Sequence, residues 1–145
     1  MLPCLRKDRI AAVVGATLVG PAGNKLIIDA GTCITFEVLE DNRIYHGGNI
    51  SPGIQMRLQA MHHFTARLPD LSTEATESII GYDTPSAMRN GAQWGTIREI
   101  EATIDHFDQQ FDPLTVILTG GDAIFLAEKK KRKIFVHHNL VLLVL

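Results

Sequence analysis

The feature that most constrains this chain is a short buried strand that runs directly into an acidic glycine turn. The apolar residues Leu26-Ile27-Ile28 are typical of a strand, and Asp29-Ala30-Gly31-Thr32 follows them without a break. Glycine lets the backbone approach an anion, threonine adds a donor, and aspartate can hold a cation or its water shell. A phosphate-binding turn and an ordinary Asx-type hairpin turn both fit these residues.

The patterning around this turn predicts an α/β domain in which a β-meander carries the turn at its head. Strands are expected up to residue 29 and over residues 32–39, 44–50 and 114–118, and helices over residues 8–18, 51–68, 84–111 and 123–130. Ser51 and Thr84 each precede a proline, which favours them as N-caps. Residues 70–82 read as a loop, and residues 139–145 fit either a helix or a strand.

The long helix over residues 84–111 carries an apolar stripe that must face a core. Its members recur at steps of three and four residues: Ile97, Ile100, Ile104, Phe107 and Phe111.

A second glycine turn follows the last of these strands. Thr119-Gly120-Gly121-Asp122 comes directly after the apolar residues 114–118 and before a short helix. A double glycine leaves a flat backbone surface for a purine, and a helix N-terminus favours anions. Ligands of such sheets bind at the carboxyl ends of strands. The two turns together fit a nucleotide held between a phosphate loop and a base-binding loop.

Composition bears on the number of domains, on the kinds of partner and on the cellular compartment of this protein. The 145 residues make about one domain, and a net charge of −2 gives no general argument for nucleic acid or membrane partners. Cys4 and Cys33 form no metal or disulfide spacing, so a reducing, cytoplasmic compartment is expected. The adjacent pairs His62-His63 and His137-His138 point in different directions on a helix and make poor chelates. No apolar run approaches the length of a membrane span.

Further motifs make the chain resemble the type III pantothenate kinases of the actin-like (ribonuclease H-like) sugar and acid kinase superfamily. The resemblance covers nearly the whole chain in the family's order. It rests on Asp8-Arg9, Asp29-Ala30-Gly31-Thr32-Cys33-Ile34-Thr35, Gly47-Gly48-Asn49-Ile50-Ser51-Pro52-Gly53, Thr65-Ala66-Arg67-Leu68-Pro69, Gly81-Tyr82-Asp83-Thr84 with Gly91 and Gly95, and Leu118-Thr119-Gly120-Gly121-Asp122-Ala123.

The resemblance implies ATP-dependent phosphorylation of pantothenate, the first step towards coenzyme A, and it assigns the substrate side of the site. Asp8 becomes the general base, and Arg9 pairs with the pantothenate carboxylate next to Arg6 and Lys7. Thr84 contacts pantothenate across a homodimer interface. The alternatives are a helix N-terminal aspartate, a solvated arginine and a simple N-cap threonine.

On the nucleotide side, the resemblance assigns Gly31 and Thr32 to the ATP phosphates and Gly120 and Gly121 to the adenosine. Asp29 corresponds to the ligand of a monovalent cation, K⁺ or NH₄⁺, and Mg²⁺ accompanies the ATP. Gly47, Gly48, Pro52 and Gly53 are expected to have a structural role.

The chain departs from the family pattern in two places. The family has a glycine two positions before the catalytic aspartate, where this chain has Arg6. A kinase of this superfamily also has two phosphate loops, and only one is found here. Residues 1–145 are therefore expected to be the C-terminal half of a two-lobed kinase, with apolar faces exposed and weak activity alone.

Two other functions stay open. Relatives of this family were first described as accessory transcription factors, so a non-catalytic regulator is possible, and the basic residues 129–133 are compatible with nucleic acid. A solvated helix C-terminus explains that run better, because no aromatic residues interleave it. The second open function is that of a different acid or sugar kinase of the superfamily.

Overall fold

The computed structural model describes residues 6–129 and 134–143. The helices are α1 (Lys7–Thr17), α2 (Ile54–His63), α3 (Thr84–Gln110) and α4 (Ala123–Glu128), and a 3-10 turn spans Val141–Leu143. The strands are β1 (Asn24–Ala30), β2 (Cys33–Glu40), β3 (Ile44–Pro52), β4 (Leu114–Thr119) and β5 (Phe135–Val136). The expected α/β class is confirmed, and residues 70–82 form neither helix nor strand.

The strands form one mixed sheet in the order β3-β2-β1-β4-β5. The predicted meander is confirmed, since β1 pairs with β2 and β2 with β3 in antiparallel fashion. By contrast, β1 and β4 are parallel, with Asp29 opposite Thr119. Because parallel strands end at the same edge of a sheet, the two glycine turns of the sequence lie side by side.

The hairpin between β2 and β3 turns at Asp41 and Asn42, in the gap between the two predicted strands. Asp41 and Asn42 both adopt positive φ angles, 48° and 59°, and the Arg43 amide donates to the Glu40 carbonyl at 2.9 Å. Asp and Asn tolerate this conformation better than other side chains, and its twist matches that of the paired strands.

Helices cover both faces of the sheet. One face packs against α2, α3 and α4, and it buries the predicted helix stripe at Ile97, Ile100 and Ile104. The other face packs against α1 and the segment that contains Leu140. A Cβ atom on Gly15 would lie 2.4 Å from the Leu140 carbonyl oxygen, so α1 and this segment touch backbone to backbone. Ile10 and Val14 of α1 and Leu18, the residue that follows the helix, form an exposed apolar stripe.

The predicted N-cap at Ser51 is wrong. Strand β3 continues to Pro52, because Cys33 and Ile34 of β2 still pair with Pro52 and Ser51. Helix α2 begins only at Ile54, with Gly53 as its N-cap. The ladder with β2 therefore overrides a local sequence signal that favours a helix start.

The N-cap alternative for Thr84 is also wrong, because Asp83 caps α3. The Asp83 carboxylate accepts from the Ser86 amide at 2.9 Å, and the Ser86 hydroxyl accepts from the Asp83 amide at 3.1 Å. This reciprocal capping box places Thr84 in the first turn of the helix, with Pro85 next to it. Two hydrogen bonds from the Asp83–Ser86 pair outweigh the single bond that a threonine cap offers.

The last short helix, α4, ends at Glu128 rather than near residue 130. Of the predicted basic run, Lys129 is described and residues 130–133 lie outside the described residues. Within residues 6–129 and 134–143, no helix has the length and apolar character needed to cross a membrane.

Candidate active site

A cavity of about 370 Å³ lies at the carboxyl end of β1, on the face of the sheet that packs against α1. It brings together six of the predicted site residues, Arg6, Asp8, Arg9, Asp29, Gly31 and Thr32, and it is also lined by Cys33, Thr35 and Ile50. The predicted residues that do not line it are Lys7, Thr84, Gly120 and Gly121.

Three residues in neighbouring strands form the floor of this cavity. Asp29 pairs with Thr35 across β1 and β2, and Thr35 pairs with Ile50 across β2 and β3. Sequence reasoning missed Thr35 and Ile50 as site residues. The signal was available, because paired positions in a meander project to the same face of the sheet.

The environment of Asp29 in this cavity disfavours its charged form. Burial raises the pKa of Asp29 above its ordinary value, and the negative charge of Asp8 raises it further. Two carboxylates that repel each other favour a proton or a cation between them. This arrangement suits a site in which a cation compensates the charge.

Gly53 packs directly against the backbone of the turn from Gly31 to Thr32 and supports it. The Gly53 amide donates to the Thr32 carbonyl at 3.0 Å, and a Cβ atom on Gly53 would lie 2.1 Å from the Gly31 carbonyl oxygen. Only glycine leaves room for this contact. The structural role expected for Gly53 thus has a definite form, which is to support the phosphate-type turn.

The second glycine turn lies directly behind Asp29. Gly120 has a φ of +96°, and a Cβ atom there would lie 2.4 Å from the Ala30 carbonyl oxygen and 2.5 Å from the Asp29 Oδ1. The Asp122 amide also donates to the Ala30 carbonyl at 2.9 Å. Gly121, in contrast, is exposed, and no atom of the described residues lies within 4 Å of the corresponding Cβ position.

Arg9 reaches the cavity wall as part of a buried charge cluster. Its Nε donates to Oε1 of Glu37 at 2.5 Å and its Nη2 donates to Oε2 at 3.0 Å, while the Tyr45 hydroxyl also donates to Oε2. Glu37 has no exposed surface. The Glu37 carboxylate raises the pKa of Arg9, and burial together with that carboxylate raises the pKa of Tyr45 to about 12.

Arg6 lies at the rim of the cavity. Its Nη2 is 3.3 Å from Oδ2 of Asp8, and the two side chains are 74% and 49% exposed. An ion pair this exposed contributes little stability, so a ligand that hydrogen-bonds to Asp8 can displace it.

Two of the predicted site residues lie on helices and do not line the cavity. Lys7 is exposed as the first residue of α1. Thr84 is exposed in the first turn of α3.

The cavity around Asp29 offers few protein ligands to a metal ion. Among the described residues, no group of three or more His, Cys, Asp or Glu side chains is placed to hold a metal ion. The cavity does offer hard oxygen donors, the Asp29 carboxylate and the Thr32 hydroxyl. Such a set fits a cation that takes its remaining ligands from substrate oxygens and water.

Comparison with known proteins gives a consistent result. The model of the type III pantothenate kinase family matches residues 5–106. The type III pantothenate kinase of Flavobacterium johnsoniae is 44% identical over 135 residues, which are 93% of this chain and 55% of that protein. That of Bacteroides fragilis strain YCH46 is 46% identical over 93% of this chain and 56% of that protein. The chain thus spans about half the length of these relatives.

Two solved structures resemble this fold. A conserved Baf family transcriptional activator from Campylobacter jejuni superposes with a TM-score of 0.67 at 25% identity, covering 98% of this chain and 62% of that one. The ethanolamine utilization protein EutJ from Carboxydothermus hydrogenoformans gives a TM-score of 0.52 at 15% identity, over 94% of this chain and 50% of that one. These likenesses confirm the α/β fold expected for half of an actin-like domain.

Proposed function

This chain belongs to the type III pantothenate kinase family, and on that basis we propose that it serves the ATP-dependent phosphorylation of pantothenate to 4′-phosphopantothenate. This reaction is the first step of coenzyme A biosynthesis. One observation carries the proposal, namely the cavity that joins Asp8 and Arg9 to Asp29 and Thr32.

Asp8 and Arg9 bind and activate pantothenate in this proposal. The Asp8 carboxylate accepts the proton of the primary hydroxyl as that oxygen attacks the γ-phosphorus of ATP, and the bond from this phosphorus to the β,γ-bridging oxygen breaks so that ADP leaves. General base catalysis of this kind is worth about 10²–10⁴ in rate. The Arg9 guanidinium binds the carboxylate at the other end of pantothenate. Arg6 and Lys7, at the start of α1, add positive charge along the approach.

The two glycine turns bind the nucleotide. The turn at Gly31, whose own amide donates to the Cys33 carbonyl at 3.0 Å, lies against the phosphates together with the Thr32 hydroxyl, and the open backbone at Gly121 receives the adenosine beside Gly120. The parallel pairing of Asp29 with Thr119 supports this assignment, because it aligns the two turns at one edge of the sheet.

Asp29 is the group that would hold a cation. Its oxygen donors fit Mg²⁺ carried by ATP and a monovalent ion, K⁺ or NH₄⁺, as the family resemblance implies. When bound, these cations neutralise charge on the phosphates. The protein's own contribution is to hold the Asp29 carboxylate in place, which the contact with Gly120 supports.

A homodimer in the cytoplasm completes the proposal. Thr84 does not line the cavity of its own chain, so its role in pantothenate binding requires the second copy. Cys33 is a free thiol, which suits a reducing compartment.

The test is coupled ADP release with pantothenate, Mg²⁺–ATP and K⁺. It uses the chain alone and then the chain mixed with the remaining N-terminal part of the Flavobacterium johnsoniae relative. We expect ADP release that depends on pantothenate, falls at least about 100-fold in Asp8→Asn, and persists in Asp41→Asn, a matched change in the hairpin turn. Absence of release from both mixtures overturns the proposal.

A regulatory role is the second candidate, because the Campylobacter jejuni neighbour is described as a transcriptional activator. Among the described residues, Lys129 of the basic run lies 5.8 Å from the ring centroid of Trp94 and 5.5 Å from that of Phe125, where a cation–π contact holds it. DNA affinity that falls steeply with salt would favour this candidate over the kinase.

A further inference from the structure

Glu37 has no role in the reaction as proposed so far, yet it is a charged side chain with no exposed surface. It lies one step behind the cavity floor, since Glu37 pairs with Ile27 and Gly48 while Thr35 pairs with Asp29 and Ile50. A buried carboxylate is tolerated only when paired and hydrogen-bonded. Its partners therefore indicate what it does.

Among residues 6–129 and 134–143, the Arg9 guanidinium pairs with Glu37 through its Nε–Nη2 edge, and Tyr45 adds a weaker hydrogen bond to it. The Nη1–Nη2 edge faces away from the Glu37 carboxylate and is the one that a ligand can engage. The Arg9 side chain is 11% exposed, and it lines the cavity. A guanidinium binds a carboxylate best through two parallel N–H groups.

Tyr45 fixes the carboxylate in turn. Its hydroxyl donates to the Oε2 that also accepts from Arg9, so the orientation of Glu37 is set from β3. An unrestrained arginine samples many rotamers and pays entropy when it binds a ligand. The Tyr45–Glu37–Arg9 chain removes that freedom before any ligand arrives.

We propose that Glu37 is a positioning residue, which turns the Nη1–Nη2 edge of Arg9 towards the cavity to receive the carboxylate of the substrate. The proposal rests on the proposed function, because the carboxylate in question is that of pantothenate. It adds a specificity device, since an analogue without the carboxylate gains nothing from the oriented guanidinium.

Two effects of Glu37 on Arg9, charge cancellation and positioning, predict opposite changes in the affinity for a carboxylate when Glu37 is replaced. The sign of the change therefore tests the proposal. The negative charge of Glu37 partly cancels the positive charge of Arg9. If this cancellation were its main effect on a ligand, Glu37→Gln would bind a carboxylate more tightly. If Glu37 positions Arg9, the same change weakens carboxylate binding.

The experiment measures dissociation constants of pantothenate and of pantothenyl alcohol, in which a neutral hydroxymethyl group replaces the carboxylate. Wild type should prefer pantothenate, and Glu37→Gln should lose about tenfold of that preference with unchanged affinity for ATP. Glu40→Gln, a matched change on β2 whose side chain pairs with His46, should retain the preference. An undiminished or increased preference in folded Glu37→Gln overturns the proposal.

Failure of the proposed function gives a different result, because wild type itself would then not prefer pantothenate over the alcohol. If Glu37→Gln fails to fold, the Tyr45→Phe variant tests the proposal instead. It keeps the charge pair and the ring, and it should lower the preference about threefold and accelerate hydrogen exchange of the Arg9 Nε–H in NMR spectra. If both quantities match wild type, Glu37 does not orient Arg9 in the way described.

Discussion

Replacing Gly120 by alanine tests whether the second glycine turn holds Asp29 in place. The new Cβ would lie 2.4 Å from the Ala30 carbonyl oxygen and 2.5 Å from Oδ1 of Asp29. Ordinary contacts of a Cβ atom begin near 3.4 Å. The first neighbour is backbone, so the strain cannot be relieved by turning a side chain. Either the β1 end or the glycine turn must move by about 1 Å.

The magnitude follows from two effects. A φ of +96° costs an alanine about 1–2 kcal/mol relative to glycine, and forcing a methyl group into an occupied site costs about 1–3 kcal/mol. We therefore expect the free energy of unfolding to fall by about 2–5 kcal/mol. A shift of about 1 Å at the Asp29 carboxylate should reduce kinase activity about 100-fold.

Urea unfolding gives the stability change, and coupled ADP release gives the activity under conditions where the variant stays folded. Gly121→Ala is the matched control for stability, because no atom lies within 4 Å of its Cβ position. Gly91→Ala, on the exposed side of α3, controls for a glycine change away from the site. Wild-type stability and activity in Gly120→Ala would refute the reasoning.

Three further predictions concern titratable groups. Burial lowers the pKa of Lys25 below 10.5, so stability should rise with pH in the alkaline window that ends near 10.5. Lys25→Met should flatten that rise and add about 1 kcal/mol at neutral pH by urea unfolding. Asp8→Asn should lower the pKa of Asp29, because the Asp8 charge contributes to raising it; carboxyl ¹³C NMR titration reads this directly, and an unchanged value would contradict the coupling. The bonds from Ser86 lower the pKa of Asp83 below 3.8. Their contribution to stability should therefore be present above that pH and lost as the pH falls through the lower folded value, and Asp83→Asn should remove this acid dependence in thermal unfolding curves.

Much of the fold was predictable because its signals are local. The apolar runs that become β1 and β4 and the apolar stripe of α3 each specify an element without reference to the rest of the chain. The errors at Ser51 and Thr84 have the opposite origin. Both residues carry a real capping signal, and in each case a stronger partner lies elsewhere, in the β2 ladder or at Asp83.

The site was predictable in part. The motifs identified Asp8, Arg9, Asp29 and Thr32, and the structure brings these four residues to one cavity. Their assigned chemical roles stay predictions. The burial and pairing of Glu37 could not be read from the sequence, because they depend on how α1 lies across the sheet rather than on any neighbour in the chain.

The close contact between Gly15 and Leu140 has a consequence for protein synthesis. On the ribosome, α1 emerges long before the segment that packs on its backbone. The helix that carries Asp8 and Arg9 therefore stays incompletely covered until the residues up to Leu140 have been made. Premature termination after residue 50 and before residue 140 would yield chains that contain every residue lining the cavity and still lack the segment that packs on α1. Quality control that recognises exposed apolar helices would meet such chains first at α1.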